Sequence, residues 1–165
     1  MMFWQFLSIF GDIQFWVGAA IISILFLFTI PKKARKHVAW FVFLVLPAVI
    51  ISSTITLGLK DIFRISRPCL GDQTCPSTYS LPSGHATVIF AAMTALSLHY
   101  KNKKMTLLFM FFAFLVTISR LMLGLHTLDD VVIGSIIGLI TGILVEKTYE
   151  NYQKEISKIV REIKT

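Results

Sequence analysis

The chain alternates long apolar runs with short polar interruptions. The runs cover roughly residues 13 to 30, Val38 to Leu59, Gly84 to Tyr100, Met105 to Leu123 and Asp130 to Val145. Crossing the hydrocarbon core of a bilayer takes about 20 apolar residues of helix, so the pattern predicts five membrane spans. Met1 to Phe10 is also apolar and aromatic. It predicts either the start of the first span or a short interfacial helix, with Gly11 and Asp12 at the junction. Residues 60 to 83 form a polar connection rich in Pro, Gly, Ser and Thr. Beyond Glu146 the chain is charged and helix-prone, with Ile156, Ile159, Val160 and Ile163 at helical spacing. That spacing predicts a helix lying along the membrane surface. Gly134, Gly138 and Gly142, four residues apart, give the fifth span a smooth face for close packing of another helix. The expected architecture is an all-α transmembrane bundle of five or six helices. It forms one domain over residues 1–165, with 146–165 as a charged cytoplasmic tail.

Composition supports the membrane reading: 55% of the residues are hydrophobic, more than a soluble chain of this length can bury. The net charge of +7 raises nucleic acid as a partner, and the placement of the charges argues against it. Residues 31–37, residues 101–104 and the tail hold 12 of the 16 Lys and Arg residues. Alternating spans put these clusters on one side, which the positive-inside rule makes cytoplasmic. The other four, Lys60, Arg64, Arg67 and Arg120, fall on the opposite, extracytoplasmic side together with Ser83, His85, His126 and Asp130. No basic residue precedes Lys32, which argues against a cleaved signal peptide. Two cysteines make no disulfide framework. Cys69 and Cys75 nevertheless share the extracytoplasmic loop, where a bridge can form and would stiffen the rim beside Arg67.

Ionisable groups at a membrane boundary mark functional sites by default, and three stretches qualify. In Lys60 to Pro68, a helix continued from the second span places Lys60, Arg64 and Arg67 on one face. Three such cations need an anion between them. A phosphate suits, gripped in pairs of oxygens by Arg and by Lys as a point charge; a collar for lipid headgroups is the alternative. Pro82-Ser83-Gly84-His85 opens the third span, where a helix N-terminus offers free N–H groups to an anion. Gly84 allows close approach, Ser83 adds a hydroxyl and His85 is placed to protonate a leaving oxygen. A plain Ser83 N-cap is the simpler reading. Third, Arg120 ends the fourth span, and His126 and Asp130 lie one turn apart at the start of the fifth. Asp130 can fix the His126 tautomer and free the other nitrogen to attack phosphorus. Asp129 is a less direct partner. Zinc binding by two His and a carboxylate is a rival that the surrounding cations disfavour.

These three stretches, Lys60 with Arg67-Pro68, Pro82-Ser83-Gly84-His85, and Ser119-Arg120 with His126 and Asp130, resemble the three-part signature of the type 2 phosphatidic acid phosphatase family. That family of membrane lipid phosphate phosphatases is related to the vanadium haloperoxidases. The resemblance implies a haloperoxidase-like helical core, His126 as a nucleophile oriented by Asp130, and His85 as proton donor. It implies phosphoryl binding by Lys60, Arg67, Ser83, Gly84 and Arg120, with no metal and no cofactor. The partners implied are a lipid phosphate or diphosphate and the membrane itself. The chain departs from the family in span count, since six are common, and in lacking a proline before the motif acid, where Thr127-Leu128-Asp129 stands. The leading substrate is a polyprenyl diphosphate, followed by phosphatidic acid or phosphatidylglycerol phosphate. A non-catalytic lipid-phosphate binding or transport protein is the reading from a different class.

Overall fold

The computed structural model describes residues 1–25, 29, 31, 35, 38, 40–69, 71 and 75–164. Among them are six helices and no strand: α1 (Met2–Ile9), α2 (Ile13–Leu25), α3 (Phe41–Phe63), α4 (Gly84–Tyr100), α5 (Lys103–Met122) and α6 (Leu128–Lys164). Helices α3, α5 and α6 are each long and apolar enough to cross a membrane, and α1 with α2 makes a fourth crossing if that pair, bent by 55°, is one broken span. Of the basic loop expected at 31–37, Lys32, Lys33, Lys36 and His37 lie outside the described residues.

The fold is organised around α4. Its 17 residues make about 25 Å of helix, short for a free-standing span, but α3, α5 and α6 all pack on it. Protein therefore meets most of its surface, and ten of its side chains, including Ile89, Ala91, Ala92 and Ala95, are buried. A helix apolar all round belongs in such a central position. Trp16 of α2, Val45 and Val49 of α3, and Ala113 and Val116 of α5 close one side of the core. On the other side lies the glycine face of α6. A Cβ on Gly134 would stand 2.6 Å from the Ser83 carbonyl oxygen, one on Gly142 would stand 2.6 Å from that of Ala91, and Gly138 is closer still to Thr87. The every-fourth-residue glycines thus bring α6 into backbone contact with α4, as their spacing predicts. Outward, Ile51, Ile55, Leu107, Phe111, Phe114, Ile136 and Ile140 are exposed, the surface a hydrocarbon solvent requires.

Three local features differ from the sequence expectation or refine it. First, α3 does not continue to Arg67. It stops at Phe63, and Arg64 takes a left-handed conformation (φ 51°) with its N–H on the Lys60 carbonyl. Arg64 is exposed, with Nε on the Asp61 carbonyl at 3.0 Å, so it leaves the expected three-cation face. Secondly, the tail is not a separate surface helix: α6 runs unbroken for 37 residues. That is about 55 Å against about 30 Å of hydrocarbon. Thirdly, the entry of α3 is a π turn over Phe41–Val45. Pro47 lacks an N–H and crowds the carbonyl four residues earlier, Phe43, so the wider turn falls where regular bonding is blocked. Cys69 and Cys75 are joined in a disulfide with Cα atoms 5.6 Å apart, placing the expected bridge next to Arg67.

Candidate active site

Four helix ends converge at one end of the bundle. These are the C-termini of α3 and α5, carrying Lys60 and Arg120 in their last turns, and the N-termini of α4 and α6. Cations suit the negative ends of the first two, and anions suit the positive ends of the others. Lys60, Arg67, Ser83, Arg120, His126 and Asp130 are all buried, and Gly84 and His85 are partly exposed beside them.

His126 is held on both nitrogens. Its Nδ1 lies 3.3 Å from Asp130 Oδ2, and its Nε2 lies 3.0 Å from Arg67 Nη1. A guanidinium only donates, so Nε2 carries the lone pair and Nδ1 the proton. That is the tautomer in which Nε2 can attack an electrophile. Asp130 is itself fixed by the Thr127 N–H at 2.8 Å and by the Ser80 hydroxyl. Its neighbour Asp129 is exposed. Burial, followed by the charges of Arg67, Arg120 and Lys60, pushes the His126 pKa down to about 3 against the opposing pull of Asp130. The imidazole is therefore neutral across the physiological range.

The cations are anchored by backbone oxygens rather than by acids. Lys60 Nζ donates to the Tyr79 and Ser80 carbonyls, the latter at 3.0 Å. Arg67 arrives on non-helical chain, with Nε on the Thr78 carbonyl at 2.7 Å, Nη2 on Thr78 Oγ1 at 2.9 Å and Nη1 on the Leu125 carbonyl at 3.1 Å. Arg120 Nη1 donates to Ser8 Oγ. Among the described residues, no carboxylate forms a salt bridge with any of the three. Three buried cations without direct counter-ions leave the site short of negative charge, which an incoming anion supplies. Within the site two buried polar atoms also lack partners among the described residues, Ser83 Oγ and Arg120 Nε. Ser83 makes no N-capping bond with its side chain, so the simple capping reading does not describe it. Such unpartnered atoms are costly to bury and mark places where a ligand's acceptors fit. At Gly84 a Cβ would meet only the Thr56 methyl, at 3.6 Å.

Lys60, Arg67, Ser83, Gly84, His85, Arg120, His126 and Asp130 thus lie in this one cluster, while Arg64 and Asp129 do not join it. The cluster also includes residues that the sequence reading left out. Ser80 bonds Asp130 and lies 3.4 Å from His126 Nδ1; nothing distinguishes it within Ser77-Thr78-Tyr79-Ser80. Ser8 reaches Arg120 across 112 positions of sequence. Asp12 pairs with His85, Oδ1 to Nε2, at 3.2 Å. A signal for Asp12 did exist: it is the only charged side chain in the first 31 residues.

The model of the PAP2 superfamily matches residues 48–154, a stretch that contains Lys60 through Asp130. The crystal structure of a transmembrane PAP2 type phosphatidylglycerolphosphate phosphatase from Bacillus subtilis is similar, with a TM-score of 0.74 at 23% identity, covering 91% of this chain and 76% of that one. At that identity the likeness is one of fold. The crystal structure of Aquifex aeolicus LpxE gives a TM-score of 0.65 at 25% identity, covering 88% of this chain and 84% of that one. A search of curated protein sequences gave no match.

Proposed function

The chain belongs to the PAP2 superfamily, and from that premise we propose that it is a membrane lipid phosphatase working through a phosphohistidine on His126. The observation that carries this reading is the state of His126. It is a buried, neutral imidazole with its proton toward Asp130 and its lone pair at the mouth of a three-cation site. A site that merely binds lipid phosphate needs cations but no oriented nucleophile.

In the proposed reaction, Nε2 of His126 attacks phosphorus as Arg67 passes from the imidazole to the phosphoryl oxygens. The phosphorus–oxygen bond to the leaving group breaks, and His85 gives that oxygen its proton. Water then attacks the phosphohistidine. The phosphorus–nitrogen bond breaks, His85 takes the proton of the water, and phosphate leaves. Lys60, Arg67, Arg120, the Ser83 hydroxyl and the N–H groups at the start of α4, beside Gly84, hold the equatorial oxygens, where transition-state charge accumulates. The positive groups supply what a metal would otherwise supply, so the proposed enzyme is metal-independent. The whole of residues 1–165 acts as one domain in the cell membrane, with the site on the extracytoplasmic face. That orientation is supported by the 12 of 16 Lys and Arg residues assigned to the other side.

The proposed substrate is a polyprenyl diphosphate, whose two phosphates carry the negative charge that three buried cations without acid partners among the described residues would take. The fold likeness to a phosphatidylglycerolphosphate phosphatase makes that monophosphate the competing choice. Phosphate release by purified protein in detergent with EDTA present, over a panel of diphosphate and monophosphate lipids, decides both points. Release that is abolished in His126→Ala is the expected result. Equal release by wild type and His126→Ala would overturn the enzymatic reading and leave a binding or transport protein.

A further inference from the structure

The N-terminal corner between α1 and α2 lies outside the family match, which begins at residue 48, yet it reaches into the site. The corner is held firmly: the Gly11 and Asp12 N–H groups bond the Ser8 and Ile9 carbonyls at 2.9 and 3.1 Å, and the Trp16 indole donates to the Phe10 carbonyl at 2.9 Å. The Phe10 ring packs edge-on against Phe112 of α5, with centroids 5.2 Å apart. Gly11 lies flat against His85: a Cβ there would fall 2.7 Å from His85 Cβ and Cδ2. The next residue, Asp12, sets its carboxylate 3.2 Å from His85 Nε2.

We infer that Asp12 is a positioning residue for His85, holding Nε2–H so that Nδ1 is the atom that carries the proton to and from the reacting oxygens. This rests on the proposed role of His85 as proton donor. A carboxylate at neutral pH only accepts hydrogen bonds, so the Nε2 that faces it bears hydrogen. The acidic form of His85 is then the imidazolium, with its second proton on Nδ1. Among the described residues, the charges that act on the ring are those of Asp12 from the α1–α2 corner, Arg120 from α5 and Arg67 from the segment after α3. Both arginines oppose a protonated ring, and Asp12 is the one group of the three that favours it. The site is built to gather cations for a phosphate, which works against keeping a cationic acid in it. The corner contributes the compensating negative charge from outside the three sequence stretches. The same corner sets Ser8 on Arg120, so it orients two site residues at once.

The test uses full-length protein in detergent, labelled with ¹⁵N-histidine; with four histidines in the chain the ring signals can be assigned by substitution. Asp12→Asn should lower the proton affinity of His85 about tenfold or more, and Asp12→Glu should retain most of the wild-type value. Farnesyl diphosphate turnover should follow, its alkaline limb moving to lower pH in Asp12→Asn and not in Asp12→Glu. The His126 signals serve as the check that the bundle is intact. An unchanged His85 titration in folded Asp12→Asn would overturn the inference, whatever the activity. Full turnover by His85→Ala would instead overturn the proton-donor role, and is read separately from the titration.

Discussion

At the scale of single residues, the site works by denying His126 its usual protonation. Its pKa lies near 3, below the ordinary value of about 6.5, so the group is neutral above that lowered pKa and is protonated only as the pH falls through it. Ring ¹⁵N shifts should therefore show no titration of His126 between pH 5 and pH 8. Arg67→Ala, which removes the largest charge acting on the ring, should raise the midpoint; a wild-type midpoint near 6.5 would contradict the buried geometry. The choice of acid is equally sharp. Asp130 accepts from His126, Thr127 and Ser80, whereas Asp129 faces outward. Asp130→Asn should reduce kcat by about 10³-fold or more, by analogy with carboxylates that fix a catalytic tautomer, and Asp129→Asn should stay close to wild type. The reverse pattern would reassign the partner. Ser80→Ala removes one donor to Asp130 and should cost roughly tenfold in kcat, about the worth of one charge-assisted bond, with KM little changed.

At the scale of elements, the contact of α4 with α6 sets the distance between His85 and His126. It depends on three glycines whose missing side chains admit the α4 backbone. Gly138→Ala should destabilise the bundle by about 1–3 kcal/mol through overpacking, read as a fall in thermal unfolding temperature in detergent. Gly18 of α2 has nothing within 4 Å of an added Cβ, so Gly18→Ala should be neutral or slightly stabilising. Equal effects at the two positions would mean that close approach of α4 and α6 is not what the glycines provide. The end of α3 is decided at this scale too. A left-handed Arg64 turns the chain out of the helix, and the non-helical residues 65–67 then deliver Arg67 to Thr78 and Leu125. Helical spacing alone would have sent Arg64 to the site.

At the scale of the whole molecule, the chemistry is confined to one end of the bundle and the long end of α6 is remote from it. Tyr152, Ile156, Ile159, Val160 and Ile163 are exposed, and the pairs of Glu150 with Lys101 and Lys154 are at the surface. Exposed pairs of that kind contribute little. A chain ending after Gln153 should keep its kcat within about twofold, because the described side chains that truncation removes are exposed. A large loss in the phosphate-release assay would show that the extension supports the bundle or its assembly.

The sequence by itself determined the helical membrane class, the glycine face of α6 and the candidate residues from Lys60 to Asp130. These are encoded locally, in run length, in i+4 spacing and in ionisable groups where lipid penalises them. It did not determine where α3 ends, how far α6 runs, or which additional side chains complete the cluster. Those depend on partners distant along the chain. Ser8 meets Arg120 across 112 positions, Ser80 meets Asp130 across 50, and Asp12 reaches His85 from an apolar segment in which it looked like a junction. A polar group's role at a bundle end is set by what the other helix ends bring to it, and only the packed structure brings them together.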